Sequence, residues 1–160
     1  YCDLEIGDNV EIYPYVHLKF YENTKIVIKN NVKLDFFTRI VVANNSTVEI
    51  DEYSKLGKST VLNAGANIKI GKKNLIAQNC SINSSEHKFR KNLDIMSQGY
   101  KHSDVKLEDD IWLGANVIIN PGSTIGKHSV IGAGCIIKGE IKENSIVKNE
   151  NILSIKKNES

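Results

Sequence analysis

The stretch from Leu107 to Ile137, LEDDIWLGANVIINPGSTIGKHSVIGAGCII, carries an aliphatic residue at every sixth position: Leu107, Leu113, Ile119, Ile125, Ile131 and Ile137. Four places after each stand Ile111, Val117, Ser123, Ser129, Cys135 and Ile141, all small or aliphatic. Gly114, Asn120, Gly126 and Gly132 follow directly after four of the six. A spacing of six fits neither the helical repeat of about 3.6 nor the alternation of an ordinary strand. It fits a coiled ladder in which each six-residue unit forms one side of a triangular turn. The aliphatic residue stacks inside on its equivalent in the next coil, and Gly or Asn takes the corner, where unusual backbone angles are needed. The chain is therefore predicted to be an all-β protein, a parallel β-helix.

The same spacing recurs upstream. Ile70, Ile76 and Ile82 form one phased set, with Asn74 and Cys80 at the fifth position. Ile50, Leu56 and Leu62 form another, with Ser54, Thr60 and Ala66. The two are out of step by two residues around Asn67–Lys69, which reads as a small corner insertion. Ile6, Ile12 and Leu18 repeat the spacing near the start, with Val10 and Val16, and the phase blurs between Phe20 and Val48. One segment, Asn83 to Asp104, has no six-residue phase. A structureless excursion of that length in a compact solenoid is more often functional than accidental, so residues 83–104 are predicted to be an external loop on a single domain, 1–160. The remaining chain then makes roughly seven to eight coils stacked at the inter-strand spacing. Residues 143–160 lose the period and read as a tail that caps the open end.

Composition excludes several partner classes. The net charge of +2 arises from evenly spread acids and bases, so no basic patch points to nucleic acid. No stretch of 18 apolar residues suggests a membrane span. The three cysteines do not suggest a disulfide framework, and Cys80 and Cys135 fall at inward small positions, where a reduced thiol acts as a core residue. That favours a cytoplasmic location.

The stretch Ile111-Trp112-Leu113-Gly114-Ala115-Asn116-Val117-Ile118-Ile119-Asn120-Pro121-Gly122-Ser123-Thr124-Ile125-Gly126, continued by Val130-Ile131-Gly132-Ala133-Gly134, resembles the hexapeptide-repeat acyltransferases. The galactoside, maltose and surface-polysaccharide or sialic acid O-acetyltransferases are the members it resembles most. The resemblance implies a left-handed β-helix, a homotrimer, and acetyl-CoA lying in the groove between neighbouring subunits. It implies that His87, early in the loop and followed by Lys88-Phe89-Arg90-Lys91-Asn92, is the general base. It matches Trp112 to the tryptophan lining the acetyl-CoA channel, and Gly114, Ala115, Ala133 and Gly134 to small residues along the pantetheine arm. Two departures leave the contacts to the nucleotide end of CoA open. After Ile137 the order is Lys138-Gly139-Glu140, and the family's terminal motif is replaced by Asn149-Glu150-Asn151-Ile152-Leu153.

The chemistry this implies needs few parts. A sugar hydroxyl attacking a thioester requires a base near neutral pH, which suits imidazole, and a backbone N–H to hold the oxyanion. Asn83 and His102, at the two roots of the loop, are candidates for acceptor binding. Each has a plainer role open to it, Asn83 as a strand cap and His102 as a surface residue. Lys138, Lys156 and Lys157 are candidates for CoA phosphates. Glu86, Asp104 or a backbone carbonyl would orient His87. The zinc-binding carbonic anhydrases share the fold, but His17, His87, His102 and His128 lack their closely spaced histidine pair, so no metal is expected. The reading is O-acetyl transfer to a bacterial surface glycan. Its rivals are N-acetylation of an amino sugar nucleotide and a non-catalytic β-helix scaffold.

Overall fold

The computed structural model describes residues 2–90 and 92–149. These form three parallel sheets wound into one solenoid. The first face stacks Cys2–Ile6, Thr24–Ile28, Thr47–Ile50, Ile68–Ile70, Val105–Leu107, Thr124–Ile125 and Glu140–Ile141. The second stacks Glu11–Ile12, Lys33–Leu34, Lys55–Leu56, Leu75–Ile76, Trp112–Leu113, Val130–Ile131 and Ile146–Val147. The third stacks His17–Phe20, Arg39–Val42, Val61–Ala64, Ser81–Asn83, Ile118–Ile119 and Ile136–Ile137. The chain belongs to the parallel β-helix class that the six-residue spacing predicts.

Coil length is not constant, and this corrects the expected number of coils. Ile6 pairs with Ile28 and Ile28 with Ile50, so the first coils take 22 residues. Ile50 pairs with Ile70 after 20, Leu107 with Ile125 after 18, and Ile125 with Ile141 after 16. Longer early coils leave between six and seven of them, rather than seven to eight. The extra residues lengthen the third and first faces, where strands of four or five residues replace the two-residue strands found later. That is why the hexad phase blurs between Phe20 and Val48. It also corrects Ala66: the inward small residue of that coil is Ala64, and the chain then turns through Gly65 before Ile68.

Inside, Ile28, Ile50, Ile70, Leu107 and Ile125 form one column of fully buried aliphatic residues, and the other faces contribute Leu34 to Ile131 and Ile40 to Ile137. Fifth-position residues fill the corners, including Thr38, Ser54, Thr60, Ser123 and Ser129, whose hydroxyls donate to backbone carbonyls. Asn74 does this most completely. Its Nδ2 donates to Gly71 O at 2.9 Å and Glu108 O at 2.8 Å, and its Oδ1 accepts from Ile111 N–H at 2.7 Å. The corners turn through left-handed residues, such as Asn9, Asn31, Tyr53, Lys73, Asp110, His128 and Asn144 between the first and second faces. Asn and Asp tolerate this backbone better than most. Ile6 and Ile12, on the first coil of the described residues, are 48% and 45% exposed.

Candidate active site

The excursion leaves and returns at one corner, between the third and first faces, where Ile70 pairs with Leu107 after 37 residues. Asn83 itself stays in the ladder opposite Asn63, accepting from Asn63 Nδ2 at 3.0 Å. Ser84 is buried and fixes the exit. Its Oγ accepts from the N–H groups of Gly65 and Ala66 at 3.1 and 3.0 Å and donates to Ala66 O at 2.8 Å. On the return, Ser103 N–H donates to Ser84 O at 3.0 Å, and Asp104 Oδ1 accepts from Asn67 N–H at 2.9 Å. Both roots are thus bonded to the same corner of the coil below.

Between the roots the chain forms an antiparallel hairpin of Ser85–His87 and Tyr100–His102, beyond which Ile95–Gln98 makes a 3-10 turn capped by Asp94. Ser85 lies opposite His102, Glu86 opposite Lys101 and His87 opposite Tyr100. Strand alternation puts Ser85, His87, Tyr100 and His102 on one side of the hairpin, with Glu86 and Lys101 on the other. On the first side the His87 and Tyr100 rings pack with centroids 4.2 Å apart, Tyr100 and His102 stack at 6.0 Å, and Ser85 Oγ lies 2.7 Å from His102 Nδ1. On the second, Lys138 Nζ lies 3.4 Å from Glu86 Oε2, and Lys101 Nζ is 4.0 Å from Glu86 Oε1. Glu86 and Asp104 are therefore engaged away from the His87 ring, and Tyr100 is the side chain packed against it. Lys138 ties the hairpin to the later coils.

A groove of about 520 Å³ lies where the hairpin meets the solenoid. Tyr21, Val41, Asn44, Asn63 and Gly65 form its floor, and Ser85, Tyr100 and His102 its wall. Gly65 is a glycine of close approach: a Cβ there would fall 2.6 Å from His102 Nδ1 and closer still to Ser85 Oγ. The Tyr21 hydroxyl is held below the ordinary tyrosine value by Lys19, with Arg39 adding to it.

The second group of sequence candidates sits elsewhere. Trp112 faces outward on the second face between Leu75 and Val130 and is 52% exposed. Gly114–Ala115 and Ala133–Gly134 form the next corner, where Gly134 N–H donates to Ala115 O at 2.9 Å. A Cβ on Gly114 would come within 2.6 Å of Ala133 N, so close passage of successive coils requires glycine there. That corner separates the second and third faces, whereas the hairpin leaves from the opposite edge of the third. One chain alone does not bring Trp112 to His87. Around this corner the outward residues are apolar, with Ile136 67% exposed and Ile118 half-buried.

His128 turns a corner at φ 58°, with Nδ1 2.8 Å from Asp110 Oδ2, and His17 lies outward on the third face. Among the described residues no three His, Cys, Asp or Glu side chains are grouped to hold a metal. Lys156, Lys157 and most of the 143–160 tail lie outside the described residues. Sequence reasoning missed Ser85, Tyr100, Gly65 and Tyr21. The pairs Ser85-x-His87 and Tyr100-x-His102 carried a period-two signal inside a segment read as irregular. Gly65 and Tyr21 reach the groove only through coil stacking.

The model for the bacterial transferase hexapeptide (six repeats) matches residues 104–139. Over these 36 residues the chain carries the hexapeptide repeat of the bacterial transferases. It is 36% identical over 83 residues to the galactoside O-acetyltransferase of Escherichia coli, a match covering 49% of this chain and 38% of that enzyme. The chain thus spans well under two thirds of that relative's length. Among solved structures it is similar to the polySia-specific acetyltransferase NeuO, with TM-score 0.74, 21% identity, and coverage of 93% of this chain and 79% of that one. It is equally similar to a mutant of AntD, an N-acyltransferase from Bacillus cereus, in complex with dTDP-4-amino-4,6-dideoxyglucose and coenzyme A. That match has TM-score 0.74, 24% identity, and coverage of 90% and 76%. At these identities both structures speak to the fold alone.

Proposed function

We propose that this protein transfers an acetyl group from acetyl-CoA to a hydroxyl of a sugar, with His87 as general base. The observation that carries the reading is the hairpin side on which His87, Tyr100, His102 and Ser85 stand together, with Ser85, Tyr100 and His102 lining the groove and His87 packed on Tyr100. A groove with convergent amide, hydroxyl and imidazole groups and aromatic walls suits a saccharide. The 36% identity to a galactoside O-acetyltransferase, over 49% of the chain, supports the acceptor class.

In this reading the imidazole of His87 takes the acceptor proton as the hydroxyl oxygen attacks the thioester carbonyl. The C–O bond forms, and a tetrahedral oxyanion held by a backbone N–H develops. Collapse breaks the C–S bond, and the imidazolium returns the proton to the departing thiolate. Trp112 would shield the acyl channel, and Gly114, Ala115, Ala133 and Gly134 would line the donor arm. Lys138, which lies against Glu86, has a positioning role open to it beside contact with the donor's phosphates. Because the two groups flank the third face from opposite edges, a neighbouring copy would supply the donor wall to the hairpin of the first. This is the arrangement of a homotrimer, and the outward apolar residues around Ile136 suit such a contact.

Free CoA release from acetyl-CoA, measured with a panel of hexosides and acidic saccharides for wild type and His87→Ala, tests the reading. Acceptor-dependent release that falls about 10²- to 10⁴-fold in the variant is expected. Release that depends on an amine acceptor and is indifferent to His87 would favour N-acylation, the reaction in the name of the AntD neighbour. No release with any acceptor would remove the enzymatic reading.

A further inference from the structure

We infer that the acceptor is an anionic saccharide whose negative group is held by Arg39 and Lys19, beyond the solenoid end of the hairpin groove. The inference rests on the acetyl-transfer reading for what happens at His87, and on charge placement alone for what binds.

The outward side of the third face differs from that of the first. On the first face the outward lysines Lys25, Lys69 and Lys106 are all matched by carboxylates, with Lys25 beside Asp3 and Glu5, Lys69 beside Glu49 and Asp51, and Lys106 beside Glu108. The third face carries His17, Lys19 and Arg39 on its two earliest strands and no carboxylate at any outward strand position. Among the described residues neither Lys19 nor Arg39 has a carboxylate oxygen within 4.0 Å. Glu22, at the corner after Tyr21, is paired with neither.

Lys19 meets the groove through Tyr21, and Arg39 stands on the same face just outside the lining. Lys19 pairs in register with Val41, a floor residue, and its Nζ lies 4.8 Å from the ring centroid of Tyr21, another floor residue. Arg39 is in register with His17 and Val61, one column across the same face. Lys19 chiefly, and Arg39 more weakly, hold the Tyr21 hydroxyl below its ordinary value. Down one outward column of the face the polarity changes: Asn83 and Asn63 lie toward the hairpin, then Val41, and Lys19 lies at the far end. A neutral hexoside would leave two unmatched cations beside its site. A saccharide bearing a carboxylate or a phosphate would match them, and a guanidinium is suited to grip either group. The negative group would then sit away from the reacting hydroxyl, so charge would govern acceptor binding rather than the proton transfer at His87.

The test is equilibrium binding by calorimetry, without acetyl-CoA, of a sialic acid trimer, dTDP-glucose and maltotriose to the intact protein at low and high salt. The expected result is that at least one anionic probe binds about tenfold or more tightly than maltotriose, the scale of one charge-assisted hydrogen bond. Its affinity should fall with added salt. Arg39→Glu and the milder Arg39→Gln should each remove most of that advantage, while Lys106→Glu on the first face leaves it intact. Circular dichroism confirms the fold of each variant. A carboxylate probe preferred over the nucleotide sugar would assign an acidic glycan, and the reverse preference a nucleotide-linked sugar. Equal binding of maltotriose, or anion binding untouched by both Arg39 variants, overturns the inference. Anion binding that persists in a protein releasing no CoA would sink the acetyl-transfer reading and leave this one standing.

Discussion

Gly65→Ala offers a sharp test of how the hairpin depends on the solenoid. Gly65 lies at the corner under the hairpin root, and its N–H donates to Ser84 Oγ at 3.1 Å. An added Cβ would stand 2.6 Å from His102 Nδ1 and 2.9 Å from His102 Cε1, and closer to Ser85 Oγ. Ordinary contact begins near 3.4 Å, so the imidazole must retreat by most of an ångström and the Ser85 hydroxyl must rotate. The 2.7 Å Ser85–His102 bond cannot survive both movements. Backbone strain is not at issue, because Gly65 is not among the glycines with positive φ. The lost bond is exposed and is worth about 1 kcal/mol of stability at most. Activity should respond more strongly, because a displacement of about 1 Å at a reacting site can cost on the order of 10²-fold. The expected outcome is a melting temperature within a few degrees of wild type and a kcat/KM for the acceptor reduced by about 10- to 100-fold. Acetyl-CoA-dependent turnover and thermal unfolding, run on the same preparation, read both quantities. Full activity at unchanged stability would refute the claim that this face of the hairpin forms the acceptor site.

Other outcomes follow from the same geometry. Asn74→Ala removes three side-chain hydrogen bonds, two of them buried, and leaves Ile111 N–H and Glu108 O without their side-chain partner, so a loss of about 3 kcal/mol is expected. A shift in urea midpoint without a change in slope would check it. Lys138→Ala and Glu86→Gln should produce the same small loss of kcat, because each releases the same tie on the hairpin; a rise in KM for acetyl-CoA in Lys138→Ala alone would instead mark Lys138 as a donor contact. In the native protein a thiol reagent should label Cys2 and spare Cys80 and Cys135. Cys80 should stay unreactive into alkaline pH, since burial pushes its thiol up and only denaturation should expose it.

What the sequence determined by itself is the solenoid. A stacked ladder repeats one local environment, so the inward role of Leu107, Leu113 and Ile119 is written into their spacing and is independent of which coil lies above or below. The absence of that spacing marked the excursion, and a lone histidine at its start marked His87. Where coils lengthen, the spacing fails as a guide: a repeat of six makes Ala66 the inward residue, whereas the 20-residue coil turns Ala64 inward and brings Gly65 to the corner. Only the tertiary structure decided what lies beside His87. Tyr100 and His102 reach it through antiparallel pairing of two three-residue strands too short to read reliably from sequence. Tyr21 and Gly65 belong to earlier coils, and they arrive at the groove because coils of 22 and 20 residues place them in register beneath the excursion, with Lys19 beside Tyr21. A side chain's inward or outward sense is a local property of the strand, but its neighbours across a solenoid face depend on accumulated coil length. That sum decides which side chains meet beside the hairpin.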